Sequence, residues 1–229
     1  MKQIKQESLL DRVIFVVAVA YSCFNLYAMF GVPMGTWIQY ATNLLFTCVL
    51  AVLVWLQKTD FTAWQWIAAM LFLLLGIAGN IYYMAEYNAM LWRTAALTPV
   101  DCVFCVIAVL ATLVATYLTS GKSLPIVALV FLAYLFFGQH IPGFFTHPEY
   151  SFRRICYNLF SQNGIYGSPL ATASTFVFLF CLFGSFLEVC SGGQVFIDLA
   201  TAMCGKYRGG PAKVAVVASG FFGSISGSA

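Results

Sequence analysis

The sequence predicts an all-α membrane protein of about six transmembrane helices, followed by a shorter apolar helix that stops inside the bilayer. Three observations predict this. Of 229 residues, 62% are hydrophobic and 8% charged, against about 45–50% and about 25% in ordinary globular chains. Eight acids and eleven bases cannot coat a water-soluble globule of this size, whereas 22 Phe, 12 Tyr and 5 Trp suit a chain solvated by lipid. Second, charge-free runs recur at the length a crossing helix needs, about 20 residues. Third, the last apolar stretch, Pro211 to Phe222, is too short to cross.

The charges place the elements in order. No Asp, Glu, Lys or Arg occurs in the 45 residues between Arg12 and Lys58, and Gly31-Val32-Pro33-Met34-Gly35 divides that run into two spans. Later charge-free runs cover 61–85, 102–121, 123–148 and 155–187. Spans are therefore expected near 12–31, 36–57, 62–85, 99–119, 124–141 and 167–189. All should be helical, because lipid offers backbone groups no other partner. Residues 1–11 are too polar, and the apolar run that follows too long, for a cleaved signal peptide, so the first span reads as permanent.

Between spans the signals are local. Thr98-Pro99-Val100-Asp101 reads as a helix start, with Thr98 as N-cap, Pro99 as first helical residue and Asp101 three after the cap. This capping role is preferred over that of an intramembrane functional acid. Residues 150–165 carry Arg153 and Arg154 among Ile155, Tyr157, Leu159 and Phe160, which suits a short helix along the outer interface. Glu188 and Asp198 bracket Ser191-Gly192-Gly193 and read as interfacial acids.

Orientation follows from Lys and Arg. A cytoplasmic N-terminus puts eight inside (Lys2, Lys5, Arg12, Lys58, Lys122, Lys206, Arg208, Lys213) and three outside (Arg93, Arg153, Arg154). The net charge of +3 thus reflects topology, and without a basic cluster carrying interleaved aromatics it gives no support for nucleic-acid binding.

Catalytic and metal motifs are weak. Cys102-x2-Cys105 has the spacing of a metal or redox pair but no second pair and no nearby His. His140 and His147 flank Pro142-Gly143 and read as interfacial. With no Ser-His-Asp, paired-carboxylate or phosphate-loop pattern, the chain is not read as an enzyme.

The C-terminal segment is the most specific. Pro211 opens a helix whose twelve apolar residues to Phe222 reach roughly 18 Å, little more than half of a core some 30 Å thick. Gly223-Ser224-Ile225-Ser226-Gly227-Ser228 then falls near mid-membrane depth, where exposed backbone must face protein or a water-filled cavity. Broken helices of this kind build ion and substrate sites in secondary transporters. Gly and Ser also permit close helix packing, and the pattern alone leaves both readings open.

Phe186-Leu187-Glu188, Gly192-Gly193, Phe196-Ile197-Asp198-Leu199-Ala200 and Arg208-Gly209-Gly210-Pro211-Ala212-Lys213-Val214-Ala215-Val216-Val217-Ala218-Ser219 resemble the large membrane subunit of TRAP (tripartite ATP-independent periplasmic) transporters. Gly223 to Ser228 resembles the tip of that family's first re-entrant helical hairpin. Leu97 to Asp101, Gly121-Lys122-Ser123-Leu124-Pro125 and Gly138-Gln139-His140-Ile141-Pro142-Gly143 are similar to the fused small/large subtype associated with TAXI-type binding proteins. The resemblance implies a small-subunit-like four-helix region at 1–120, a linking span and interfacial segment at 121–166, and from 167 to 229 the start of the large-subunit transport domain.

It also implies a function: sodium-coupled uptake of an organic anion delivered by a periplasmic substrate-binding protein, in a bacterial inner membrane. Gly223, Ser224, Ser226, Gly227 and Ser228 would contact substrate or ion, with Na+ at Ser224, Ser226 and Gly227. Sodium is the coupling ion and no other cofactor is implied. Large subunits of this family continue through further spans and a second hairpin, so the sequence reads as an N-terminal fragment, expected to be inactive alone. The alternative is a small membrane scaffold or partner subunit without transport activity of its own, its Gly/Ser end a packing face.

Overall fold

The computed structural model describes residues 9–31, 35–58, 63–93, 97–143 and 145–226. They are helical, with no strand among them. Six helices are long and apolar enough to cross a membrane: Leu9–Phe30, Thr36–Gln57, Ala69–Trp92, Pro99–Ser120, Ser123–His140 and Ser168–Val189. The chain is an all-α, multi-pass membrane protein. It divides into two compact units, one ending at Ala171 and the other beginning at Thr172.

The first unit holds α1 (Leu9–Phe30), α2 (Thr36–Lys58), α3 (Ala63–Trp92), α4 (Pro99–Ser120), α5 (Ser123–Phe137), α6 (Phe152–Leu159) and α7 (Ser168–Thr172). Small residues let α2, α3 and α4 approach closely: Ala41, Cys48 and Ala51 on α2, and Cys105, Ala108, Ala111 and Ala115 on α4, are all buried. A side chain added at Gly79 of α3 would meet Ile107 and Ala108 at 3.6 and 3.8 Å. Without a hydrophobic drive between helices in lipid, such close contact supplies the dispersion energy that holds a bundle together. At one edge of the bundle, Gln57 Nε2 donates to the Asp11 carboxylate, tying α2 to α1.

The third span differs from expectation. Its crossing window is Ala69–Trp92, not 62–85, because α3 continues through Glu86 to Trp92. Glu86 does not end the helix. Its carboxylate lies 3.1 Å from the Arg93 guanidinium, so the charge is paired near the helix end.

The start of α4 follows the capping pattern. Asp101 N–H donates to Thr98 Oγ1 at 3.3 Å, Thr98 N–H donates to Asp101 Oδ2 at 2.8 Å, and Pro99 opens the helix. Its other end is closed by Gly121 at φ 77°, whose N–H donates to Tyr117 O.

The segment expected along the interface contains α6 with Arg153 and Arg154 exposed, but its apolar face packs on protein. Ile155 and Cys156 are buried, and α6 lies against α4. After α6 the chain drives Phe160 and Tyr166 into the core. The Tyr166 ring stacks on Tyr83 with centroids 3.7 Å apart, and its hydroxyl donates to Asn80 Oδ1 at 3.1 Å.

The second unit continues the sixth span through a π-helix, Ala173–Val177, into α8 (Phe178–Val189). It then turns into α9 (Gly192–Cys204) and α10 (Gly210–Ser226). Phe196 of α9 meets Phe221 and Phe222 of α10 at 6.0 and 5.6 Å between centroids, and Ala200 and Ala218 are buried. The turn between α8 and α9 puts Ser191 at φ 59°, a left-handed conformation that costs an ordinary residue about 1 kcal/mol. Ser191→Gly should therefore raise stability by about 0.5–1 kcal/mol, read from the thermal unfolding midpoint in detergent. A lower midpoint would show that the serine side chain contributes more than its backbone strain costs.

Candidate functional site

The site expected from the sequence begins at the end of α10. That helix does not stop at Phe222 but continues through Gly223, Ser224 and Ser226. Its 17 residues span about 25 Å, still short of a bilayer core of about 30 Å. The last carbonyls of a helix lack intrahelical partners and carry its negative dipole end. In the described part of α10, Gly223 to Ser226 form that last turn, so the acceptor end lies four residues beyond the expected place. Gly227 and Ser228 lie outside the described residues.

Two glycines near this end are not packing contacts among the described residues. A Cβ added at Gly220 or at Gly223 meets nothing within 4 Å, and Gly223 is exposed. By contrast, a Cβ on Gly193 would come within 3.0 Å of the Phe222 ring. The close approach in this unit is therefore made at the start of α9.

Beside Phe222 lies an open cleft of about 590 Å³, lined by Leu187 and Glu188 of α8, Ser191 of the turn, and Gly193, Gln194 and Phe196 of α9. Gln194 Nε2 donates to Asp198 Oδ1 at 2.9 Å, one helical turn on. Glu188 thus joins a mixed polar and aromatic cleft that also receives the end of α10. The sequence carried a signal for Glu188, an acid at a span end. It carried none for Gln194, which reads as an ordinary helix residue.

Other candidate groups have structural environments. Asp101 is fully buried and accepts from Tyr82 Oη at 2.5 Å and Arg93 Nη1 at 3.4 Å besides Thr98. Cys102 and Cys105 are buried as free thiols, and the Cys105 thiol donates to Cys156 O at 3.5 Å. Spacing in the sequence gave no hint that Cys156 would join that pair. Burial pushes the Cys156 thiol up to about 11, which makes it a poor nucleophile at neutral pH. Among the described residues no group of three or more His, Cys, Asp or Glu is placed to hold a metal. Both ring nitrogens of His147 face carbonyl oxygens, Pro148 O at 2.8 Å and Tyr134 O at 3.1 Å. Those acceptors favour the doubly protonated ring and raise its pKa.

The fold and the cleft thus define a multi-pass membrane protein whose second unit packs a helix ending in Gly and Ser against an antiparallel neighbour. The chain belongs to the family described as the tripartite ATP-independent periplasmic transporter, DctM component, whose family model matches residues 105–229. It is accordingly a TRAP transporter membrane component. No curated protein and no solved structure matches the chain.

Proposed function

We propose that this chain forms part of a sodium-coupled transporter that takes up an organic anion handed over by a soluble periplasmic binding protein. It acts in the bacterial inner membrane with its N-terminus in the cytoplasm. The observation that carries this reading is α10, a helix too short to cross that ends in a Gly/Ser run. A hard cation takes oxygen ligands, and the carbonyls of that last turn with the hydroxyls of Ser224, Ser226 and Ser228 are such a donor set. The open space at Gly220 and Gly223 favours the ion-site reading over a packing face.

The test is uptake of candidate organic anions by the full-length protein in proteoliposomes, with and without its binding protein and an inward sodium gradient. Accumulation should require both. Equal accumulation without sodium would remove the coupling ion, and equal accumulation without the binding protein would remove the partner.

Orientation has its own test, resting on the eight-to-three distribution of Lys and Arg. A cysteine placed near residue 3 should escape an impermeant reagent applied from the periplasm, while cysteines replacing Arg153 and Arg154 should react. Reaction near residue 3 would reverse the topology.

A further inference from the structure

We propose that the first unit binds an anionic phospholipid in the groove between α4 and α6, with Arg153 meeting the lipid phosphate. The groove is open, about 430 Å³, and lined by Pro99, Val103, Val106, Ile107, Phe152 and Arg153 together with the buried Cys102. Its long wall is a membrane-spanning helix, and its two ends differ in chemistry. Pro99 is the first residue of the span, so that end lies at the membrane–water boundary. From there to Ile107 is about 12 Å along the helix, the depth of the upper part of an acyl chain.

Val103 is 58% and Val106 41% exposed, so an occupant must present hydrocarbon to them. At the boundary end stands Arg153, exposed on α6 and without a hydrogen bond or ion pair among the described residues. Its neighbour Arg154 is engaged differently, with its guanidinium 5.5 Å from the centroid of the Tyr150 ring. A guanidinium makes two parallel charge-assisted bonds to a phosphate, which fixes a headgroup in place.

Only an amphiphile has both halves this groove asks for. A free anion would satisfy Arg153 and leave the valines facing bulk lipid; an uncharged lipid would do the reverse. No lining residue is acidic, so the ammonium of a zwitterionic head finds no partner there. The net negative lipid is the better fit.

The experiment titrates the purified full-length chain in detergent with phosphatidylglycerol, phosphatidylethanolamine or diacylglycerol, and reads the first bound lipid by native mass spectrometry. Wild type, Arg153→Gln, Arg154→Gln and Val106→Trp are compared. Arg153→Gln should weaken phosphatidylglycerol binding by about tenfold, the scale of one lost charged hydrogen bond. Arg154→Gln removes the same charge and should change it by less than about twofold. Val106→Trp, which fills the groove with both arginines intact, should also weaken it and covers the case in which Arg153→Gln fails to fold. Wild type should bind phosphatidylglycerol more tightly than either other lipid, and inorganic phosphate should not displace it. Equal losses in the two arginine variants would mean general electrostatic attraction and overturn the proposal. So would displacement by phosphate, equal binding of diacylglycerol, or unchanged binding in Val106→Trp.

Discussion

In the full-length protein, Ser226→Ala should raise the sodium concentration needed for half-maximal uptake by about tenfold while leaving the amount of folded protein nearly unchanged. The substitution removes one oxygen and little volume, and one cation–oxygen contact is worth on the order of 1–2 kcal/mol net. Gly227→Val should abolish uptake, because a branched side chain restricts the backbone where glycine allows unusual angles. The continuation of α10 to Ser226 sharpens the expectation. Ser224 and Ser226 belong to the last described turn, beside carbonyls that carry the helix's negative end. A packing face predicts the reverse pattern, with silent Ser→Ala changes and lowered abundance for Gly→Val. The measurement is initial uptake at several sodium concentrations, normalised to folded protein. An unchanged sodium dependence in both Ser224→Ala and Ser226→Ala would discard the site.

Asp101→Ala should lower stability by about 3 kcal/mol. The carboxylate is fully buried and accepts from Tyr82 Oη, Arg93 Nη1 and Thr98 N–H, so truncation strands several donors at once. Thr98→Ala, which removes only the reciprocal cap, should cost about 1 kcal/mol. Unfolding midpoints in detergent, compared at fixed protein and detergent, would order the variants as wild type, Thr98→Ala, Asp101→Ala. If Asp101→Asn kept its midpoint but stopped uptake, the residue would be a functional acid and its role as a cap secondary.

The spans were legible because lipid solvation demands long charge-free runs, and five of the six fall within a few residues of where those runs place them. The third slipped because a single acid, Glu86, was read as a membrane boundary, whereas its pairing with Arg93 lets α3 carry it. The cap at Thr98 was legible because it is a contact three residues apart. The docking of Tyr166 onto Tyr83 and Asn80 was not, since it joins positions more than 80 residues apart through a segment whose periodicity says only that it is amphipathic. The end of α10 was misjudged for a different reason. Gly and Ser weaken a helix in water, but where water does not compete for backbone groups the helix hydrogen bonds persist and low propensity is overridden. Of the candidate residues, Gly223 is seen to be exposed and Ser224 and Ser226 helical, and the cleft beside Phe222 emerged only in three dimensions.

The π-helix at Ala173–Val177 interrupts the sixth span one residue after the boundary between the two units. One extra residue in a helical turn advances every later side chain by about 100° around the axis. The span is thus geared: α7 presents one azimuth, and Phe178 to Val189 present another, without any break in the rod. Removing a single residue from 173–177 would leave a regular α-helix yet turn the whole downstream face, so length and orientation are set independently within one crossing.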